Sequence, residues 1–147
     1  MLYNSILDCI GNTPLVLLER SAGVQIYGKA EFLNPGGSIK DRMARYMLEQ
    51  AELRGELRPG MTIVEPSSGN TGIGLALAGR RMGYRVTIVM PENMSEERKR
   101  IIKAFGAELI LTPAEESMEG CLRRVEAIRA ENPDGVYVPQ QFENMDN

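Results

Sequence analysis

Residues 62–90 read TIVEPSSGNTGIGLALAGRRMGYRVTIVM. A β-branched run from Thr62 to Glu65 gives way to small polar residues and glycine. A strongly apolar helical pattern follows from Asn70 to Met82, with Gly83 as its stop, and then a second β-branched run from Arg85 to Met90. Strand, loop, helix and strand in that order form the repeating unit of a parallel sheet. Two further runs, Glu108 to Thr112 and Val136 to Val138, continue the alternation. The first three runs begin 23 residues apart, at 62, 85 and 108, close to the length of one strand, one helix and two short loops. The spacing predicts an α/β protein with a parallel sheet and flanking helices.

The remaining helices follow from the same patterning. Ser38 to Gly55 places Met43, Met47, Ala51 and Leu53 near helical spacing with Arg45, Glu49, Glu52 and Arg54 on other faces, an amphipathic pattern. Ser95 is expected to cap a helix with Glu96 and Glu97 in its first turn, Arg98, Lys99, Arg100 and Lys103 behind them, and Gly106 at its end. That order of charges complements the helix dipole. A further helix is expected from about Glu116 to Asn132, with Met118, Leu122, Val125 and Ile128 on one face and Pro133 as its breaker. The methionine and aromatic residues read as core. Upstream, Val24 to Glu31 forms a candidate strand, whereas Met1 to Arg20 shows no clean period beyond the apolar run Leu15 to Leu18.

The composition bounds the function. With 147 residues, 43% hydrophobic and 25% charged, the chain falls among ordinary globular proteins, and one compact domain is the default. A chain of this length buries roughly 68–70% of its unfolded surface, enough for a core without staples. The net charge of -3 and a pI of about 5.1 give no basic footprint, so no nucleic-acid partner is expected. Cys9 and Cys121 stand far apart and histidine is absent, which argues against zinc sites, other metal centres and histidine-based triads. Residues 1–5 (MLYNS) lack a basic region followed by a long apolar stretch, and no segment approaches a membrane span. A reducing, cytoplasmic setting is expected.

Three constellations carry chemistry. In NPGGSIKDR (Asn34–Arg42) a glycine-rich turn runs into a helix. Ser38 is the expected N-cap and Asp41 its capping-box partner, which puts Lys40 in the first turn. A cation there opposes the dipole at a cost of about 0.3–1 kcal/mol. The same field favours the neutral amine that attacks an aldehyde, so the position suits a Schiff-base lysine. In EPSSGNTGIG (Glu65–Gly74), Ser67, Ser68 and Thr71 offer hydroxyls, Asn70 an amide, and the glycines let backbone N–H groups approach an anion at a helix's positive end. Neither GxGxxG nor GxxxxGK[ST] is satisfied. In QQFEN (Gln140–Asn144), Gln141 follows what would be the C-terminal end of a strand, where open α/β sheets bind ligands. Each motif alone also has a plain reading: a solvated surface lysine, a capped βα turn, a polar tail.

Taken together, IGNTPL (Ile10–Leu15), NPGGSIKDR, PSSGNTGIGLA (Pro66–Ala76) and QFEN (Gln141–Asn144) resemble the cysteine synthase (O-acetylserine sulfhydrylase) and cystathionine β-synthase family. The similarity extends over essentially the whole chain, which corresponds to the N-terminal half of that family's proteins. The resemblance implies a type II pyridoxal-phosphate fold in which Lys40 forms the imine with pyridoxal 5'-phosphate and Asn70 hydrogen-bonds the cofactor's ring hydroxyl. Ser67, Ser68, Gly69, Asn70 and Thr71, joined by Gln141, would receive the substrate's carboxylate. The implied reaction is a transferase β-replacement of cysteine biosynthesis: O-acetylserine, or another activated serine, and sulfide give L-cysteine, with Lys40 taking the α-proton.

The same resemblance implies that residues 1–35 belong to a large domain, 36–140 form a small movable α/β domain, and 141–147 begin the crossover back to the large domain. The family's second half supplies a glycine- and threonine-rich loop for the cofactor phosphate and a serine facing the pyridine nitrogen. No counterpart of either occurs here, so the chain alone is expected to be inactive and the full-length enzyme to be a homodimer. The alternatives are a non-catalytic binding or regulatory module derived from the family, and a cystathionine β-synthase using serine and homocysteine.

Overall fold

The computed structural model describes residues 2–147; Met1, counted above with the N-terminal segment, lies outside the described residues. Two strands, β1 (Leu15–Ser21) and β2 (Val24–Lys29), pair antiparallel as a hairpin. Four more, β3 (Thr62–Pro66), β4 (Arg85–Pro91), β5 (Glu108–Thr112) and β6 (Val136–Tyr137), form a parallel sheet in the order β5-β4-β3-β6. Helices α1 (Lys40–Leu53), α2 (Asn70–Arg81), α3 (Glu96–Ala104) and α4 (Ser117–Glu131) connect or flank these strands. The expected α/β class, with a parallel sheet and flanking helices, is what the chain adopts.

The strands are apolar on both faces because both are covered. Ile63 of β3 and Val86, Ile88 and Met90 of β4 point to a core shared with Leu48 of α1, Leu75 of α2 and Ile102 of α3. The alternate residues Val64 and Val89 point the other way, to Cys121 and Val125 of α4 and Val136 of β6. Three helices therefore cover one face and α4 the other. Each fully buried Leu or Ile in this arrangement contributes about 1.5–3 kcal/mol. From β3 the chain moves outward through α2 to β4 and β5, then returns to place β6 on the opposite side of β3. The reversal between β3 and β6 is where open α/β sheets hold ligands, beyond the C-terminal strand ends.

Several local expectations give way to tertiary contacts. α1 begins at Lys40, but the capping box does not form. Ser38 Oγ accepts the Lys40 N–H at 3.1 Å, while the Asp41 carboxylate turns to the Gly36 N–H at 2.5 Å instead of reaching back to Ser38. The buried stripe of α1 is Met43, Ala44, Met47, Leu48 and Ala51, and Leu53 lies 78% exposed because the helix end overhangs the sheet. On α4, Gly120, Cys121 and Val125 face the core and Leu122 does not. Met43, Met47, Met61, Met90 and Tyr84 are core, whereas Phe32, Phe142 and Met145 are among the most exposed side chains. The β1–β2 hairpin is exposed nearly throughout, so it shows neither a core face nor an alternating pattern.

Two close fits fix the rest. α1 lies against α2 backbone to side chain: a Cβ on Gly74 would stand 2.9 Å from the Lys40 carbonyl oxygen and 3.1 Å from Ala44 Cβ. The second fit is at Glu65, the penultimate residue of β3, which is 1% exposed. Its Oε2 accepts the Gln140 N–H and its Oε1 the Gln141 N–H, each at 3.0 Å. Burial pushes its carboxyl up to about 7 against the opposing pull of these two N–H groups.

Gly74→Ala should force α1 away from α2 and cost about 1–3 kcal/mol. This is read as a lower urea midpoint at unchanged slope; a midpoint equal to wild type would contradict the close contact. For Glu65, the folded pKa of about 7 lies above the ordinary carboxyl value of 4.5. The stability linked to its proton is therefore fully present below the unfolded value and is lost as pH rises through the folded one. Stability should fall by roughly 3 kcal/mol or less between those two pH values. In Glu65→Gln that pH dependence should flatten, measured by chemical unfolding at a series of pH values.

Candidate functional site

The loop from Ser67 to Gly69 joins the end of β3 to the start of α2. Ser67 is buried and its N–H donates to the Val89 carbonyl at 2.9 Å, prolonging the β3–β4 ladder. Its Oγ accepts the Gly72 N–H at 2.9 Å and the Gly69 N–H at 3.4 Å. That folds the loop back over the first turn of α2. Asn70 and Thr71 open this helix, where N–H groups have no carbonyl one turn behind them. The Arg98 guanidinium at the start of α3 donates to the Ser68 carbonyl at 3.3 Å and braces the loop from the side.

Thr71 and Gln141, 70 residues apart in the chain, meet here: the Thr71 hydroxyl donates to Gln141 Oε1 at 2.7 Å. Among the described residues Gln141 Nε2 makes no hydrogen bond, and Asp41 Oδ1 is the one sealed side-chain polar atom without a partner. The Gln141 amide nitrogen is therefore open to solvent. Pro66, Ser67, Ser68, Gly69, Thr71 and Gln141 border a cleft of about 260 Å³ whose other wall is Met118, Leu122 and Phe142. The exposed apolar residues of α4 and of the QFEN segment thus have a place: they line a groove beside polar donors.

Lys40 and Asn70 do not border that cleft. They sit beside it, because the Lys40 carbonyl rests on Gly74, one turn along from Asn70. Lys40 is half-buried and Asn70 exposed. Among the described residues neither Lys40 Nζ nor the Asn70 amide has a hydrogen-bond or ion-pair partner. An uncommitted amine and an uncommitted amide, carried by two helices in backbone contact, are the groups that an aldehyde bearing a ring hydroxyl would engage.

The turn that delivers Lys40 is held by groups the sequence reading left out. Asn34 Oδ1 accepts the Gly11 N–H at 2.8 Å, and Asn34 Nδ2 donates to the Glu31 carbonyl at 2.9 Å and to Glu31 Oε2 at 2.8 Å. Arg42 grips the same carboxylate through Nε at 2.8 Å and Nη2 at 2.9 Å, while the Thr13 hydroxyl donates to Glu31 Oε1 at 2.6 Å. The Arg42 guanidinium, followed by Thr13 and Asn34, holds the Glu31 carboxyl down at about 2. The IGNTPL motif, the NPGG turn and the start of α1 are thus joined through one glutamate. A glutamate closing the strand-like run Val24–Glu31 was its only trace in the sequence.

Asp41, fully buried, supports the turn from below. A Cβ on Gly36 would collide with Asp41 Oδ1, so the turn lies directly on this carboxylate. Burial raises the Asp41 pKa, opposed by the Gly36 N–H bond and reinforced by the nearby Glu31 charge. No helix among the described residues is long and apolar enough to cross a membrane. Among the same residues no group of three or more His, Cys, Asp or Glu is placed to hold a metal ion.

The chain is similar to known proteins in sequence and fold. A cysteine synthase of Staphylococcus aureus is 48% identical over 147 residues, covering 98% of this chain and 47% of the relative. A probable cysteine synthase of Bacillus subtilis is 48% identical over 143 residues, covering 95% of this chain and 46% of the relative. The crystal structure of a cysteine synthase from Entamoeba histolytica superposes with a TM-score of 0.95 at 46% identity, over 99% of this chain and 45% of that one. The chain spans about half the length of these relatives. The family model described as pyridoxal-phosphate dependent enzyme matches residues 6–147, and the chain belongs to that family.

Proposed function

We propose that the chain is the lysine-bearing half of a pyridoxal-phosphate-dependent cysteine synthase that makes L-cysteine from O-acetylserine, or another activated serine, and sulfide. The observation that carries this reading is the contact of the Lys40 carbonyl with Gly74. It sets the first turn of α1, which bears the unpartnered amine, against the helix that the donor-rich SSGNT loop opens, at the reversal point of the sheet. The family match and the cysteine synthase relatives support the same chemistry.

In this reading Lys40 Nζ would hold the cofactor, and Asn70 would bond its ring hydroxyl. Pyridoxal phosphate, when bound, supplies an electron sink for the charge that develops at the substrate's α-carbon. Lys40 Nζ would also serve as the general base that takes the substrate's α-proton. Ser68, Gly69, Asn70 and Thr71 present hydroxyl, amide and backbone donors to the substrate carboxylate. Ser67, whose oxygen already accepts two N–H groups, contributes its remaining O–H. Gln141, its Oε1 occupied by Thr71, offers Nε2.

We read residues 1–35 as a segment of a large domain, 36–140 as a small movable domain, and 141–147 as the return crossover. The exposed apolar hairpin supports this division, since Leu15, Leu18, Val24 and Ile26 have no partner surface within the chain. The assembled enzyme is then a cytoplasmic homodimer.

Adding pyridoxal phosphate to the purified chain should produce a visible absorption band that is absent in Lys40→Ala. Thr71→Ala and Gln141→Ala should keep the band but weaken O-acetyl-L-serine binding by about tenfold each, read as the concentration that shifts it. A wild-type chain without a Lys40-dependent band would overturn cofactor binding by this chain on its own. A band indifferent to O-acetyl-L-serine would overturn the substrate reading.

A further inference from the structure

The segment that carries Gln141 is attached to the sheet in an unusual way. β6 pairs with β3 over only two residues, Val136 opposite Thr62 and Tyr137 opposite Ile63. Beyond Tyr137 the ladder ends, yet Gln141 must still be held opposite Thr71. Most bonds of the tail are local, such as Asn144 Nδ2 to the Pro139 carbonyl and Asn147 Nδ2 to the Gln141 carbonyl. The Arg54–Asp146 ion pair reaches the body of the protein but lies in solvent-accessible surroundings, where such pairs contribute little.

Besides the Thr71–Gln141 bond itself, the tail's turn is tied to the sheet by buried Glu65, whose two oxygens each take one successive N–H. A carboxylate is suited to this because it presents two acceptor oxygens and no donor. The turn it holds is not relaxed: Gln140 sits at φ +54, a left-handed conformation that a side chain rarely adopts. Strained backbone of this kind persists where surrounding bonds over-determine it.

We propose that Glu65 is the positioning residue of the carboxylate-binding rim, fixing the Gln140–Gln141 turn so that Gln141 meets Thr71 and turns Nε2 to the cleft. Glu65 touches no substrate in this scheme and acts only through Gln141. The inference rests on the proposed binding of a substrate carboxylate by Thr71 and Gln141. It adds that the affinity of this rim is set one layer beneath it, by a strand residue.

The test follows amide hydrogen exchange by NMR together with a titration of O-acetyl-L-serine, in excess pyridoxal phosphate at about pH 8, where Glu65 is mostly ionised. In Glu65→Gln one acceptor oxygen is replaced by a donor. Exchange at the Gln140 and Gln141 amides should accelerate by about tenfold or more, and the probe should bind about fivefold to tenfold more weakly. The amides of β4 should keep their protection. A merely structural role would lower stability while leaving the affinity of the folded molecules unchanged.

Unchanged probe affinity in a folded Glu65→Gln, with Thr71→Ala weakened, would overturn the positioning role alone. Unchanged exchange at Gln140 and Gln141 would also overturn it. A wild-type chain whose Ser68, Gly69 and Gln141 signals do not respond to the probe would overturn the binding reading and this inference with it. If Glu65→Gln loses β4 protection, Glu65→Asp replaces it. That variant keeps the charge but draws the carboxylate back by one methylene, and the same two losses are expected.

Discussion

The contact between Gly74 and the Lys40 carbonyl is the constraint on which the rest of the site depends. Two helices whose axes are separated by ordinary side chains stand 8–10 Å apart. Here the first turn of one helix rests its backbone on the other, because the residue beneath it has no side chain. The approach places the starts of α1 and α2 next to each other. It also brings two glycine-containing turns, one before each helix, to the same edge of the sheet. The core beneath keeps the helices there: Leu48 of α1 and Leu75 of α2 are both fully buried against β3 and β4.

Three acidic residues stabilise the loops around this contact, each in a different electrostatic setting. Glu31 is answered by a bidentate guanidinium and two further donors, so its charge is strongly favoured. Glu65 is buried with only two neutral N–H groups, and desolvation outweighs them. Asp41 has a single N–H and one oxygen with no partner. An unpartnered buried acceptor costs about 1–3 kcal/mol, and this one lies directly under Gly36 beside Lys40. The balance differs because a guanidinium supplies charge as well as hydrogen bonds, whereas backbone N–H groups supply only the latter.

The sheet was legible because its strands are buried on both faces and so appear as unbroken β-branched runs. Thr62–Glu65 and Arg85–Met90 needed no tertiary information. The hairpin of Leu15–Ser21 and Val24–Lys29 was only half legible, since its exposed residues alternate with nothing. Leu53 and Leu122 satisfied a helical period yet face outward, because periodicity does not say where a helix overhangs its sheet. The capping box at Ser38 failed for a related reason: Asp41 had a stronger claim from the Gly36 N–H. Lys40, Asn70 and the SSGNT loop could be singled out as motifs. Glu31 and Glu65 could not, because a buried glutamate is recognised only by the donors that fold around it. One warning was available, a glutamate inside the otherwise apolar run TIVEP.

The polar groups at this edge fall into two sets. Ser67 Oγ, Thr71 Oγ1, Gln141 Oε1, Glu65, Glu31 and Arg42 are committed to one another or to backbone. Among the described residues Lys40 Nζ, the Asn70 amide and Gln141 Nε2 have no hydrogen-bond partner. A protein under selection for stability alone has little reason to brace three unsatisfied donors with a network of satisfied ones. The unsatisfied set costs little while it faces water, since solvent supplies the missing bonds. The bracing costs conformational entropy and, at Asp41 and Gln140, some strain. Such an investment is rational only if the free donors are meant for a ligand that replaces the water. The three are an amine and two amides, the types that an aldehyde, a ring hydroxyl and a carboxylate would respectively engage.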